Sequence, residues 1–151
     1  MGLWSDLLRQ NTGKDVTRLR HGGAAGGITA AMYALLNAQL VSGSEYCLTL
    51  SRFHDYLLQA GVVITGEGKI DLQSFYGKIP GTIANFCQKQ NIPVYAVVGL
   101  AEKQVLPRFD KVFTMSQYAR SVQDSIKNAP YYLKIIAQAI VDTLYLSAYS
   151  D

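Results

Sequence analysis

Glu67, Lys69 and Asp71 alternate with Gly66, Gly68 and Ile70 in the stretch Thr65-Gly66-Glu67-Gly68-Lys69-Ile70-Asp71. Two carboxylates and an ammonium so close together can hold a cation, grip an anion, or accept a proton from a hydroxyl group. Gln73, Ser74 and Lys78 follow at once and add hydrogen-bonding groups and a second positive charge. Gly66 and Gly68 are expected to let the backbone turn there and approach a ligand closely. The same pattern also fits a surface turn decorated with solvated charges.

The run ahead of these residues positions them. Val62, Val63 and Ile64 form a short β-branched stretch, read as a strand over 62–65 buried on both faces, as in a parallel sheet. Open α/β sheets bind ligands where such strands end. A second glycine-rich segment lies upstream, His21-Gly22-Gly23-Ala24-Ala25-Gly26-Gly27, and runs into an Ala- and Leu-rich helix expected over 28–40. Glycines at a helix start expose N–H groups and suit an anion, or they only let the helix pack closely. No register of this segment fits GxGxxG, and Gly77-Lys78 lacks the flanking residues of a Walker A loop.

The remaining elements follow from periodicity. Residues 3–10 read as an amphipathic helix with Leu3, Leu7 and Leu8 on one side, 44–50 as a short strand, and 51–59 as a helix. A helix over 82–90 follows Pro80, a second buried strand covers 93–99, and a third covers 111–114. Strand, helix and strand with a long connection make a right-handed βαβ unit. Apolar residues crowd the segment 131–147 around a narrow stripe of Lys134, Gln138 and Asp142, so this helix is expected to be covered over most of its circumference.

Composition limits the classes of function. The chain has 151 residues, 49% of them hydrophobic and 17% charged, which suits a globular α/β protein. The net charge is +3, with no basic stripe for nucleic acid. No apolar run is long enough for a membrane helix, and the first residues do not read as a signal peptide. Cys47 and Cys87 have no metal-ligand spacing, so no metal site is assigned; both read as small buried hydrophobes in a reducing, cytoplasmic setting. Three or four strands leave sheet edges unpaired. Either a second chain or self-association is expected to cover them, or the sequence is a piece of a longer protein.

The segment Thr65 to Asp71, with Gln73-Ser74 and Gly77-Lys78-Ile79-Pro80, resembles the signature ITGEGRxDxQSxxGKxP of bacterial type I glycerate kinases. Gly23-Ala24-Ala25-Gly26-Gly27 is similar to the GAAGG segment of the same family. Lys69 stands where that signature has arginine, which keeps the charge but loses the planar fork. The resemblance implies the C-terminal part of a two-domain enzyme, with residues 1–60 a glycine-rich helical segment of its second domain and 61–151 a Rossmann-like or flavodoxin-like segment. The fold expected is a three-layer α/β arrangement with a mainly parallel sheet, incomplete relative to the family.

The activity implied is ATP-dependent phosphorylation of D-glycerate, with Mg2+ accompanying the nucleotide. In that reading Asp71, Lys69 and Glu67 are catalytic, Asp71 taking the hydroxyl proton. Gly66, Gly68, Gln73, Ser74 and Lys78, with Gly23, Gly26 and Gly27, bind substrate or phosphate. The alternatives are a non-catalytic module binding a small molecule or phosphate, and an inactive dimeric remnant.

Overall fold

The computed structural model describes residues 2–149, apart from the side chains of residues 147 and 148. The chain divides into two compact units, one ending at Tyr46 and one starting at Cys47.

The first unit is helical. Helix α1 (Gly2–Thr12) buries Leu8, while Leu3 and Leu7 of the same expected stripe stay exposed. A tight 3-10 stretch, Ala24–Gly27, leads into α2 (Ile28–Leu36). Leu8, Val16, Ala30 and Ala34 form the small core. Helix α2 ends four residues earlier than its composition suggests, because Asn37 takes a left-handed φ of 55° and its N–H donates to the Met32 carbonyl. Asparagine tolerates that conformation better than most residues.

Helix α3 (Gly43–Leu50) replaces the strand expected over 44–50 and carries the chain from one unit into the next. The alternation Tyr46, Leu48, Leu50 suits a strand, yet only Leu48 is buried. The Ser42 hydroxyl accepts from the Glu45 N–H at 3.4 Å, a contact that favours the first helical turn. Cys47 is exposed on this helix, contrary to the expectation of a buried thiol. Helix α4 covers only Phe53–Leu57.

In the second unit, three strands form a parallel sheet: β1 (Val63–Ile70), β2 (Val94–Ala101) and β3 (Lys111–Thr114), in the order β1-β2-β3. Between β1 and β2 the chain forms a 3-10 turn, Leu72–Phe75, and helix α5 (Ile79–Gln90), completing the expected βαβ unit. Pro80 sits in the first turn of α5, where its missing N–H costs nothing, and Asn91 closes the helix in the left-handed region. Helices α6 (Val122–Lys127) and α7 (Ala129–Ala148) end the chain.

Alternation along β2 makes the three layers. Val94, Ala96 and Val98 pack with Ile83, Ala84 and Cys87 of α5, while Tyr95 packs with Ile136 and Ile140 of α7. The central strand is therefore buried on both faces, as its apolar run implies. The strand over 62–65 is not. It is longer, β1 sits at the sheet edge, and Ile64 keeps half of its surface exposed. Helix α7 is covered on one face only; Tyr131, Leu133, Val141 and Tyr145 remain exposed.

The expected turn at Gly66 and Gly68 is also corrected, since both lie within β1 and neither has a positive φ. Gly66 serves strand pairing instead. A Cβ there would stand 2.7 Å from the Val97 carbonyl oxygen, a distance no real Cβ tolerates. Gly99 on β2 faces Gly68 with a similar lack of room, a Cβ meeting the Gly68 oxygen at 2.5 Å.

Candidate active site

The charged residues of the signature gather at the C-terminal end of β1. Glu67 and Lys69 stand two residues apart in the last half of the strand, and Asp71 follows its last residue. Asp71 caps the 3-10 turn Leu72–Phe75: its Oδ1 accepts from the Gln73 N–H at 2.9 Å, and its own N–H donates to Ser74 Oγ at 3.3 Å. This reciprocal capping fixes the turn and seats Ser74 in full burial.

From there the network is continuous. Ser74 Oγ donates to Glu67 Oε2 at 2.8 Å, and Lys78 Nζ donates to Glu67 Oε1 at 3.2 Å. Lys78 precedes α5 in extended conformation, so the end of that helix positions its side chain. Lys69 Nζ lies 3.5 Å from Asp71 Oδ2 and donates to Glu102 Oε1 at 2.8 Å. Gln104 Nε2 donates to the other Glu102 oxygen at 2.8 Å. Glu102 holds the Lys69 ammonium above its ordinary pKa, chiefly through the hydrogen bond, and Lys69 in turn lowers that of Glu102.

Five residues singled out from the sequence, Glu67, Lys69, Asp71, Ser74 and Lys78, are thus joined by direct contacts. Gln73 enters through its backbone N–H. Gly66 sets the strand spacing, and Gly68 has open space where a Cβ would stand. Gly23, Gly26 and Gly27 belong to the first unit. Gly26 and Gly27 adopt φ values of 72° and 95°, so the backbone there asks for glycine on conformational grounds. Thr29 Oγ1 donates to the His21 carbonyl at 2.8 Å and ties this segment to α2.

Glu102 and Gln104 escape the sequence reading. The available signal was position: Glu102 is the first charged residue after the apolar run of β2, and the parallel register sets Ile70 beside Ala101. The strand ends of a βαβ unit bring such residues together.

A parallel sheet between helices, with an interlocked cluster of lysines and carboxylates at its strand ends, defines an α/β protein. Comparison with known proteins narrows this class. Residues 1–145 match the model of the glycerate kinase family. A glycerate kinase of Halalkalibacterium halodurans is 38% identical over 96 residues, covering 64% of this chain and 25% of that protein. A glycerate kinase of Haemophilus influenzae is 31% identical over 145 residues, covering 93% and 38%. A crystal structure assigned as glycerate kinase 2 of Salmonella typhimurium LT2 superposes with a TM-score of 0.65 at 33% identity, covering 97% of this chain and 38% of that one.

The chain belongs to the glycerate kinase family. It spans roughly a quarter to two fifths of the length of the curated relatives it matches. Those matches support a partial span; they do not support assigning that span to the relatives' C-terminal part.

Proposed function

We propose that this chain contributes the charged cluster of a glycerate kinase. The hydroxyl oxygen of D-glycerate attacks the γ-phosphorus of ATP, the bond to the β-phosphate oxygen breaks, and ADP and a phosphoglycerate leave, the 2-phosphate by likeness to the relatives. The observation that carries this reading is the single hydrogen-bonded network of Glu67, Ser74, Lys78, Asp71 and Lys69 at the strand end, in a chain of this family.

The chemistry assigns the roles. Phosphoryl transfer asks for positioning and charge neutralisation more than for covalent help. Lys69 and Lys78 hold the substrate carboxylate and the transferring phosphoryl group, and Asp71 accepts the hydroxyl proton. Ser74 keeps Glu67 oriented from its buried position. Gly68, with open space above it, admits the substrate close to the backbone, with Gln73 alongside. For the first unit taken by itself, likeness to the family suggests an anion contact for the N–H groups of Gly23, Gly26 and Gly27.

Magnesium fits this donor set. Among the described residues no three His, Cys, Asp or Glu side chains are grouped to hold a metal ion. Mg2+ bound with a nucleotide needs only one or two carboxylates beside the phosphate oxygens. Glu67, Asp71 and Glu102 face Lys69 and Lys78, so the cluster carries one net negative charge that a cation would offset. Glu67 or Asp71 would hold Mg2+, which when bound would neutralise charge on the phosphates.

Further partners belong to the same reading. The outer edge of β1 has no strand partner among the described residues and is covered by another polypeptide segment or a second copy. No helix among the described residues is long and apolar enough to cross a membrane; the cytoplasmic location we propose rests on the two cysteines, both free thiols.

The deciding experiment follows glycerate-dependent ADP release with ATP and Mg2+, alongside Asp71→Asn. A loss on the order of a hundredfold or more in the variant is expected for a positioned proton acceptor. Undiminished turnover in Asp71→Asn would sink the assignment of Asp71. A folded chain that is stabilised by glycerate or ATP yet releases no ADP would replace the kinase with a binding module.

A further inference from the structure

The shortest contact Lys69 makes is with a residue outside the signature. Its Nζ lies 2.8 Å from Glu102 Oε1 but 3.5 Å from Asp71 Oδ2. We propose that Glu102 is a positioning residue for phosphoryl transfer, holding the Lys69 ammonium off Asp71 so that the Asp71 carboxylate stays open to a substrate hydroxyl. The inference rests on the function proposed above and deepens it.

Three observations support it. The Glu102 backbone is pinned on both sides, its N–H donating to the Ile70 carbonyl at 3.0 Å and its carbonyl accepting from the Val105 N–H at 3.1 Å. Its side chain is pinned as well, because Gln104 holds Oε2 at 2.8 Å and leaves Oε1 for Lys69. Lys69 itself projects from an edge strand with about half of its side chain exposed, so nothing else on β1 fixes its tip. An ammonium on a flexible four-carbon stem takes whichever carboxylate lies nearer. Without Glu102 that carboxylate is Asp71, and a tight ion pair would occupy the proposed proton acceptor.

The charged and titratable groups around the pair are accounted for. Glu102 comes from the end of β2, Glu67 from β1 and Lys78 from the start of α5, with Gln104 and Ser74 as neutral hydrogen-bond partners. Among the described residues, Glu102 and Asp71 form the ion pairs of Lys69. The raised pKa of Lys69, whose largest cause is the Glu102 hydrogen bond, agrees with this geometry.

The test combines a titration with kinetics on the full chain. Lys69 is followed by NMR of its side-chain ammonium in the unsubstituted protein, Glu102→Gln, Glu102→Asp and Gln104→Ala. Glycerate-dependent ADP release is measured on the same four proteins. In Glu102→Gln the Lys69 ammonium signal and its titration are expected to differ from those of the unsubstituted protein, because the side chain passes from Glu102 to Asp71. The kcat is expected to fall on the order of tenfold, part of a proton acceptor's usual contribution, while the KM for ATP holds. Glu102→Asp should restore part of both effects, and Gln104→Ala, which leaves the carboxylate in place, should show a smaller change in the same direction even if Glu102→Gln folds poorly.

A Lys69 titration identical in all four proteins would overturn the contact. A moved titration with unchanged kcat would overturn the positioning role and leave the kinase reading standing. No turnover in the unsubstituted chain would strike the kinase reading first and take this inference with it.

Discussion

Replacing Gly81 with alanine tests how tightly the scaffold is built around the site. Gly81 lies in the first turns of α5, against the 3-10 turn that carries Ser74. A Cβ at this position would stand 2.2 Å from the Ser74 carbonyl oxygen and 2.7 Å from Phe75 Cα. Reaching an ordinary contact of 3.4 Å requires a backbone shift of about 1.2 Å. No flexible side chain can absorb it. Two effects oppose each other: alanine favours the helix over glycine by roughly 0.5–1 kcal/mol, and forced overpacking costs about 1–3 kcal/mol, toward the upper end when the obstacle is backbone.

The net expectation is a loss of about 1–2 kcal/mol, read as a lower urea midpoint and a melting temperature reduced by about 2–4 °C for each kcal/mol. Displacement of Ser74 would also weaken its hydrogen bond to Glu67, so ADP release should fall in the folded variant. Gly61→Ala is the control. A Cβ there meets nothing within 4 Å and the backbone has no positive φ, so a neutral or slightly stabilising effect is expected. If Gly81→Ala proves as stable as the original protein, helix propensity outweighs the close approach and the packing argument is wrong.

Two further outcomes are expected. In the native protein an aqueous thiol reagent should modify Cys47 rapidly and Cys87 only on unfolding, because Cys87 is fully buried and its burial pushes its pKa up to about 11; two thiols reacting at one rate would contradict that packing. The Lys69–Glu102 pair should also shape stability against pH. Glu102, lowered from 4.5, contributes stability that is present above that value and lost as pH falls through its folded pKa. Lys69, raised from 10.5, contributes stability that is present below that value and lost as pH rises through its folded pKa. Urea titrations of the original protein and Glu102→Gln should therefore differ most between these limits, in low salt; a gap that persists unchanged into acid would show that the pair contributes nothing.

Much of the second unit was legible because its signals are local. The β-branched runs at Val94 to Val98 and Lys111 to Thr114, and Pro80 at a helix start, state their own conformations. Misreadings arose where local signals fit two structures. Tyr46, Leu48 and Leu50 suit a strand face, but the contact of Ser42 with Glu45 and the burial of Leu48 alone settle on a helix. Gly66 and Gly68 read as a turn because glycine usually marks one; here Gly66 admits the Val97 carbonyl of the neighbouring strand, which only the paired structure reveals.

The candidate site divides in the same way. Glu67, Ser74 and Lys78 lie within one short stretch of chain, so their proximity could be anticipated. Glu102 is 33 residues from Lys69, and its approach depends on the register of β1 against β2, which nothing in the sequence spells out.

The saturation of both lysines has a consequence for how any anion enters. Lys69 and Lys78 each already hold a protein carboxylate, a chemical likeness of the carboxylate of glycerate. A ligand anion arriving here trades one carboxylate partner for another, and its affinity is the small difference between two similar attractions. Protein carboxylates released from the lysines become acceptors at the same moment, available to a hydroxyl or a cation. In the proposed kinase, entry of the substrate and exposure of the groups that would act on it are then one exchange, and an anion that offers no use for the freed carboxylates gains little by displacing them.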